Sequence, residues 1–393
     1  MRKLYAAWFI QVILLFSALT AFAQNPSTTA TVKPAIVDAA MLFRGPMPAV
    51  EVMVNGQGPF LFAIDTGAQG AARVDSSLVE KLKLKSIDKI QAGDGSGRNA
   101  RTLDVVQLDS ISFGGVQFTN VRAITRDYNT SPTLPKIDGI LGFNLFAEYL
   151  LTLDYPGQRV RLERGELPQA NGAEIINFAS YRGIPVVELR VGDHKINAHL
   201  DSGNTVGGFI LPTALAEKLT FTSTPLSLGK ARTVSNEVEI KEVRLKENIY
   251  LGGSEFKEPV IVYPAISDDA NIGSKVLREF SLTFDQKNKR VRLQRRELPK
   301  VAETVAATTM IEGLDLKDYP GSFGERTVTL EDGALFLQRQ GGPKLKMMPV
   351  AKDEFALERI PEARIRFARG EKGVVIEIHV LNRTGEWEKS AKQ

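Results

Sequence analysis

Apolar and polar residues alternate along several stretches of the chain, and this period of two is typical of strands with one buried face. Residues 50–54 alternate valine with other side chains, and 186–191 are β-branched and partly alternating, with a Gly-Asp turn directly after them. Shorter strands are predicted over 120–124 and 259–263. The pattern predicts a mostly β protein.

Helical signals are few in the body of the chain. Ser77 and Glu80 have the spacing of a capping box, which predicts a short helix that continues to Leu84. A polar segment rich in Ser, Thr and Pro precedes the first strands, and its composition predicts a linker over 24–40.

Two segments of the chain are repeated. Residues 138–168 and 269–299 are identical at 14 of 31 positions at a constant offset of 131. Upstream, 60–82 and 196–219 share an apolar strand, an Asp-Thr-Gly or Asp-Ser-Gly turn and a helical stretch that ends in Glu-Lys-Leu. Similarity at a fixed spacing indicates a duplicated structural unit. We therefore expect two homologous lobes.

The first residues have the form of an export signal. Arg2 and Lys3 precede a short apolar run, and Ala21-Phe22-Ala23 forms a small-residue cleavage site, which predicts a secretory signal peptide. The alternative is an uncleaved membrane anchor, which is less favoured because the apolar run is short for a spanning helix. We expect an exported protein in a bacterial periplasm or outside the cell, with no stable membrane insertion after the signal is cleaved.

Composition excludes several kinds of chemistry. The 393 residues contain no cysteine and three histidines, so disulfide frameworks, thiol nucleophiles and Cys-based or His-rich metal sites are not expected. A net charge of +4 is too small to indicate nucleic-acid binding. We therefore expect no metal, no cofactor and no nucleic-acid partner.

Two aspartates lie where apolar strands run into glycine turns. Asp65 and Asp201 are followed two residues later by Gly67 and Gly203, and glycine lets backbone amides approach a carboxylate closely. Two lobes related by a pseudo-twofold axis would bring both carboxyl groups together, and such a pair shares one proton. One carboxyl can then activate water while the other protonates a substrate carbonyl.

Each turn also has a hydroxyl and a distant glycine partner. Thr66 and Ser202 can hydrogen-bond across to the opposite turn, and Ile140-Leu141-Gly142 and Asn271-Ile272-Gly273 follow at similar distances along the chain. A single Asp-Thr-Gly is most often an ordinary turn. Two copies in equivalent places of a duplicated chain are much stronger evidence for a paired site.

These motifs resemble those of the retropepsin-like (pepsin-type) aspartic proteases. The resemblance rests on Asp65-Thr66-Gly67-Ala68, Asp201-Ser202-Gly203-Asn204 and Ile140-Leu141-Gly142, and it covers roughly residues 41–299. The resemblance is greatest to the exported bacterial members of the family. In this chain, two lobes are fused. The resemblance implies two closed, mostly antiparallel β lobes, an active-site cleft between them and endopeptidase activity.

The resemblance also implies roles for individual residues. Asp65 and Asp201 correspond to the catalytic aspartates. The residues that support the two catalytic turns are Thr66, Gly67, Ala68, Ser202, Gly203 and Asn204. The residues that pack beneath the turns are Leu141, Gly142, Ile272 and Gly273. The second copy departs from the family pattern at Asn204, where Ala, Ser or Thr is usual, and at Asn271, where an apolar residue is usual.

Family members cover the cleft with a hairpin flap, and a glycine-rich stretch lies at the corresponding place in the first lobe. Its residues are Gly93, Asp94, Gly95, Ser96 and Gly97. An exposed hairpin with no catalytic role is an equally good interpretation of this stretch.

Two further side chains beside the turns have consequences. His199 precedes Asp201 by two residues and shares its face of the strand; a packed histidine is favoured over a pH-sensitive neighbour. Ala68 cannot donate a hydroxyl hydrogen bond to the adjacent carboxylate. The pair should therefore work at less acidic pH than relatives with Ser or Thr at that position.

The C-terminal part is predicted to be a separate β-rich unit. It resembles the small β-barrel appended to some bacterial serine hydrolases. The resemblance rests on the order of four short motifs: Tyr319-Pro320-Gly321, Asp332–Leu335, Phe355 and Arg364–Phe367. A stability or spacer domain is the first interpretation, ligand or substrate binding the second and docking to the cell envelope a third. The charged end, 386–393, is expected to fray.

The predicted organisation is a signal peptide over 1–23, a linker over 24–40, lobes over 41–168 and 169–299, a linker over 300–313 and an accessory β domain over 314–393. The predicted activity is that of an aspartic endopeptidase acting on peptide or protein substrates. We expect a monomer, because fusion of the lobes removes the need for a dimer. The alternative is a protein of the same fold that binds peptides without cutting them.

Overall fold

A computed structural model of the protein describes residues 30–31, 37–44, 46–92, 101–129, 136–232, 237–263, 270–296, 314–340, 344–357, 360–371, 373–381 and 387–393. Strands dominate these ranges, as the alternating pattern predicts. The predicted signal peptide and the predicted linker over 300–313 lie outside the described residues. None of the helices in the described ranges is both long and apolar enough to cross a membrane.

The first half of the chain forms the strands of the first lobe. They are β1 Ala30–Thr31, β2 Val37–Ala40, β3 Leu42–Arg44, β4 Met47–Val54, β5 Gln57–Asp65, β6 Ala72–Asp75, β7 Ser86–Ala92, β8 Arg101–Phe113, β9 Val116–Arg126, β10 Gly139–Gly142, β11 Leu150–Asp154 and β12 Arg159–Glu163. One sheet has the order β1-β9-β6-β10-β5-β4-β8-β7, with β3 paired to β4.

The second lobe follows the same plan. Its strands are β13 Ile175–Asn177, β14 Ala179–Tyr181, β15 Ile184–Val191, β16 His194–Asp201, β17 Phe209–Ile210, β18 Leu226–Arg232, β19 Glu237–Arg244, β20 Ile249–Leu251, β21 Ser254–Phe256, β22 Val260–Tyr263, β23 Ala270–Gly273, β24 Phe280–Asp285 and β25 Arg290–Arg295. Its main sheet has the order β18-β19-β22-β17-β23-β16-β15-β20-β21, with β14 paired to β15.

Helices are short throughout the described ranges. The α-helices are α1 Ser76–Leu82, α2 Thr213–Ala216 and α3 Ser274–Leu277, and two 3₁₀ turns span Phe143–Phe146 and Leu316–Asp318.

A third sheet joins the two lobes. Its order is β13-β25-β24-β11-β12-β2, so β11 of one repeat pairs antiparallel with β24 of the other. Thr152 faces Thr283, and these residues are separated by the repeat offset of 131. Their buried hydroxyls lie 2.9 Å apart. The pseudo-twofold axis that the repeat predicts therefore passes between these two threonines.

The lobes share one hydrophobic core, whereas the C-terminal part has its own. The large cluster of buried side chains includes residues of both lobes and of the joining sheet. A second cluster is built from Tyr319, Phe323, Phe355 and Phe367 together with aliphatic neighbours of the same segment. The C-terminal part therefore has a core of its own, as the sequence predicts.

The C-terminal part is a single meandering sheet. Its strands are β26 Gly321–Phe323, β27 Arg326–Glu331, β28 Ala334–Arg339, β29 Lys344–Ala351, β30 Glu354–Leu357, β31 Ile360–Arg369, β32 Val375–Leu381 and β33 Trp387–Ala391. A bridge between Phe323 and Lys392 and a bond from the Gln393 N–H to the Ser322 carbonyl (2.8 Å) bring the two ends together. The sheet is a nearly closed barrel.

The expected linker over 24–40 contains strands. β2 pairs with β12 and extends the joining sheet at its edge. Its Val37 is completely buried in the shared core. The sequence did not predict this strand, because it forms by pairing with the edge of a strand far away along the chain. The polar, Pro-containing composition of the segment gives no sign of that partner.

Two local predictions were wrong. The cap of α1 is Asp75, whose carboxylate accepts the N–H of Ser77 (3.0 Å), and the helix ends at Leu82 with Lys83 in the left-handed region. The C-terminal end does not fray, because β33 pairs with β32 over its whole length. The indole of Trp387 also packs under the Arg366 guanidinium, 4.5 Å from the ring centroid.

Candidate active site

The two aspartates end equivalent strands. Asp65 is the last residue of β5 and Asp201 the last of β16. Each of these strands begins at a hairpin turn, so its aspartate lies at the end away from that turn. Parallel pairing places Gly142 beside Asp65 and Gly273 beside Asp201. The repeated sequence therefore builds the same strand–turn–strand arrangement twice.

The hydroxyls of the two turns bond across the pseudo-twofold axis. Thr66 Oγ1 donates to the Leu200 carbonyl (2.6 Å), and Ser202 Oγ donates to the Ile64 carbonyl (2.8 Å). Each hydroxyl oxygen also accepts the backbone N–H of the other residue, at 2.9 Å. Both side chains are completely buried. These four bonds fix the position of one turn relative to the other.

The glycines make the close approach possible. A Cβ on Gly67 would lie 2.4 Å from Oδ1 of Asp201, and a Cβ on Gly203 would lie 2.4 Å from Oδ1 of Asp65. No side chain fits at such distances, so glycine is required at both positions. Each aspartate therefore lies against the opposite turn.

The carboxyl groups perturb each other. The N–H groups of Gly67 and Gly203 donate to Oδ1 of Asp65 (2.8 Å) and of Asp201 (2.9 Å). Burial raises the pKa of Asp65 to about 7, and the neighbouring Asp201 carboxylate, which lies within hydrogen-bonding reach, contributes to that rise. Below about pH 7, Asp65 is therefore mainly protonated.

The predicted packing residues lie directly beneath the turns. Leu141 and Ile272 are completely buried next to the aspartate strands. A Cβ on Gly142 would lie 2.3 Å from the Gly70 carbonyl oxygen, and one on Gly273 would lie 2.4 Å from that of Gly207. The strands that contain these residues therefore pack directly against the backbone of the two turns.

Comparison with known protein families agrees with this arrangement. The model of the aspartyl protease family matches the chain twice, over residues 50–145 and 187–276. Each match contains one of the two aspartate turns and the glycine strand beside it. The two lobes belong to the aspartyl protease family. A search of the curated proteins finds no match to the chain.

The two halves of this candidate site differ in their hydrogen bonds. In the second lobe, Asn271 Nδ2 donates to Oδ2 of Asp201 (2.8 Å). Asn204 donates in turn through its Nδ2 to Oδ1 of Asn271 (2.7 Å), and its Oδ1 accepts the N–H of Val206 (3.0 Å). The two departures from the family pattern therefore form one relay that ends on Asp201.

In the first lobe the equivalent positions are apolar. Ile140 lies where the second lobe has Asn271, and Ala68 lies where it has Asn204. Both are buried in a small apolar cluster. The outer oxygen of Asp65 therefore receives no donor from these positions, whereas that of Asp201 does.

Tyr155 is a further residue near the site, and the motifs did not indicate it. It is buried, and the burial, with the nearby charges of Asp201 and Asp65, raises the pKa of its hydroxyl. The phenol therefore stays neutral beneath the two turns. It follows the strand-ending Asp154 in the first repeat, but the second repeat has Gln286 there, so the repeat itself gave no signal for it.

The remaining predictions concern the surroundings of the turns. The candidate flap, Gly93 to Gly97, lies outside the described residues; the strands on either side, β7 and β8, are paired antiparallel. His199 lies beside Asn271 in the parallel pairing and is half-buried, with its ring 6.3 Å from that of Tyr181. Within the described ranges, no three His, Cys, Asp or Glu side chains gather as they would around a metal ion.

Proposed function

We propose that this protein is an aspartic endopeptidase in which Asp65 and Asp201 act together on one water molecule. The observation that carries the proposal is the contact of each aspartate with the opposite turn across the pseudo-twofold axis. The raised pKa of Asp65 supports it, because a shared proton is what general acid–base hydrolysis by two carboxyls needs. A peptide would lie between the two lobes, above the pair.

The hydrogen bonds assign different roles to the two carboxyls. An amide NH₂ group donates only, so Oδ2 of Asp201 is the acceptor in its bond with Asn271. Asp65, whose pKa is raised, keeps the proton. We therefore assign Asp201 as the base and Asp65 as the acid.

These roles give a balanced reaction. Asp201 takes a proton from the water as the water oxygen bonds to the peptide carbonyl carbon, and Asp65 gives its proton to the carbonyl oxygen. The tetrahedral intermediate then returns a hydroxyl proton to Asp65, while Asp201 protonates the amide nitrogen. The C–N bond breaks, and the pair again holds one proton.

The place of action is proposed from the sequence alone. The charged start, short apolar run and small-residue exit over 1–23 support an exported protein in a bacterial periplasm or outside the cell. A monomer is proposed because one chain supplies both aspartates.

A peptide-cleavage assay tests the proposed activity. The mature protein should cleave a mixed peptide library somewhere in the range of roughly pH 3–8, which spans ordinary carboxyl pKa values and the raised one. Asp65→Asn and Asp201→Asn should each lower kcat by at least about 10³-fold while leaving the circular dichroism spectrum unchanged. Asp193→Asn is the matched control, because Asp193 lies in an exposed turn at the other end of β16.

Two results would argue against the enzyme. If the parent protein cleaves no peptide across that pH range but binds peptides, the same fold serves as a peptide-binding protein. If Asp65→Asn and Asp201→Asn retain the parent rate, any cleavage observed comes from other residues or from a contaminant.

A further inference from the structure

Arg73 lies on the same face of the first-lobe sheet as Asp65. Its two neighbours in β6 are buried in the core, so Arg73 faces the other way. The register places Arg73 opposite Ile140, and Ile140 opposite Ala63. Directly paired residues share a face, and side chains alternate along a strand, so Asp65 shares this face with Ala63 and Arg73.

The guanidinium of Arg73 has unused hydrogen-bonding capacity. Its Nε is buried and makes no hydrogen bond, and Arg73 forms no ion pair within the described part of the chain. Its charge acts on Asp65 from a distance and opposes the rise in that pKa. A buried donor without a partner is costly in a folded protein. Such a donor near a site needs an explanation, and a ligand group that accepts its hydrogen bond is one.

Tyr128 adds a second polar group at the same place. Its hydroxyl is also buried, and the Arg73 guanidinium lies within hydrogen-bonding reach of it and counteracts the rise in the Tyr128 pKa that burial causes. Its backbone is fixed, because its N–H donates to Oδ2 of Asp75 (2.8 Å) and its carbonyl accepts from Arg44 (3.4 Å). A guanidinium and a phenol are thus held side by side.

The fold does not itself require a cation at this position. In the first lobe, Arg73 lies opposite Ile140, and in the second lobe Ile210 lies opposite Asn271. Ile210 therefore occupies the position that corresponds to Arg73. Ile210 is buried in an apolar cluster with Ile240 and Val262. The duplicated position is therefore satisfied by a hydrophobic residue, and the arginine needs another explanation.

We propose that Arg73, with Tyr128 beside it, forms a subsite that binds a carboxylate of the substrate. The carboxylate is either the side chain of an acidic residue near the scissile bond or the C-terminal carboxylate of a short peptide. A guanidinium binds a carboxylate through two parallel N–H donors, and the phenol can donate a third bond. This inference rests on the proposed peptidase function and gives that site a substrate class.

The test compares matched peptides at about pH 6, where a peptide glutamate is ionised. In one series Glu replaces Gln at each position near the scissile bond, and each peptide is made with a free and with an amidated C-terminus. The parent protein should prefer Glu at one position, or the free terminus, by at least about 10-fold in kcat/KM, as expected for a charge-assisted hydrogen bond. The two arms show which source supplies the carboxylate.

Variants at Arg73 decide whether it is responsible. Arg73→Gln should remove the preference while the amide-containing peptides are still cleaved, and Arg73→Lys should restore part of it. Arg190→Gln is the control, because Arg190 is exposed in the second lobe at the end of β15 remote from Asp201. That variant should keep the full preference.

The other outcomes separate this inference from the proposed function. Cleavage without any preference for a carboxylate would overturn the subsite and leave the peptidase standing. An equal loss of rate on all peptides in Arg73→Gln, with a shifted pH profile, would mean that Arg73 only tunes Asp65. If the parent protein cleaves nothing, fluorescence anisotropy with labelled versions of the same peptides tests the subsite. Tighter binding of the carboxylate form supports the subsite, and equal binding of both forms overturns it.

Discussion

At the scale of single residues, the two aspartates of the site are chemically different. Asp201 accepts a bond from Asn271, which is held by Asn204, whereas the corresponding neighbours of Asp65 are Ile140 and Ala68. An ionised carboxyl is stabilised by donors and a neutral one by apolar surroundings. The two carboxyl groups therefore have different surroundings, polar at Asp201 and apolar at Asp65.

The variant Asn271→Ile gives the second lobe the side chain of the first. Loss of the donor leaves Oδ2 of Asp201 without this bond in its proposed role as the base, so kcat/KM should fall by about 10-fold across the pH range. The high-pH limb should stay near neutrality, since the Asp65 pKa is about 7 and activity is lost as pH rises through it. A full pH–rate profile measures both limbs.

The control for this variant is Asn197→Ile, on the same strand as Asp201 but exposed to solvent. It should leave the profile unchanged. An unaltered kcat/KM in Asn271→Ile would show that the Asn271 bond does not support the proposed base. The prediction from Ala68 is tested with the same data, because a parent profile confined to strongly acidic pH would contradict it.

At the scale of elements, the pair of β11 and β24 joins the lobes around two buried hydroxyls. Within the described part of the chain, the hydroxyls of Thr152 and Thr283 bond to each other, and both residues are nearly inaccessible to water. Removing one hydroxyl leaves the other buried without a partner, whereas removing both replaces a polar contact by an apolar one of the same shape.

This contact predicts strong non-additivity. Thr152→Val or Thr283→Val alone should lower the free energy of unfolding by about 1–3 kcal/mol, and the double variant should lie within about 1 kcal/mol of the parent. Urea unfolding of the four proteins completes the cycle. The exposed Thr327→Val should change stability by less than about 0.5 kcal/mol. Additive losses would mean that the hydroxyls are not each other's essential partners.

The sequence predicted those elements that are marked by a pattern in their own residues. Alternating strands, the two aspartate turns and the separate C-terminal unit were all visible, and duplication turned a weak Asp-Thr-Gly motif into a paired one. The strand β2 was not visible, because an edge strand depends on the partner that accepts it. The roles of Asn271, Arg73 and Tyr155 also depend on register between strands far apart in sequence, which composition and spacing do not contain.

At the scale of the whole molecule, the C-terminal barrel has a core separate from that of the lobes. Its centre is filled by aromatic rings, with Tyr319 in contact with Phe355 and Phe367 at 4.9 Å between ring centroids. The Tyr319 hydroxyl donates to Asp353 (2.8 Å), which also accepts from Arg369. Such a filled interior suits a self-contained domain.

A chain that ends at Arg296 should therefore keep the structure of the lobes. We expect its thermal unfolding midpoint to stay within about 5 °C of the corresponding transition in the full chain, and its peptide-cleavage rate to stay within about twofold. Calorimetry and the library assay measure these two quantities. Collapse of the lobes on truncation would show that the barrel is needed to hold them together, and lost cleavage with intact lobes would assign it a part in substrate binding.

The relay on Asp201 illustrates what a duplicated gene allows and an assembly of identical subunits does not. In a symmetric pair of chains every substitution occurs twice, so a donor added beside one aspartate is added beside both. Here each half can change without the other, so the two aspartates of one chain can have different surroundings before any substrate arrives. The two halves differ in the same way at another position, where the first has Arg73 and the second has Ile210.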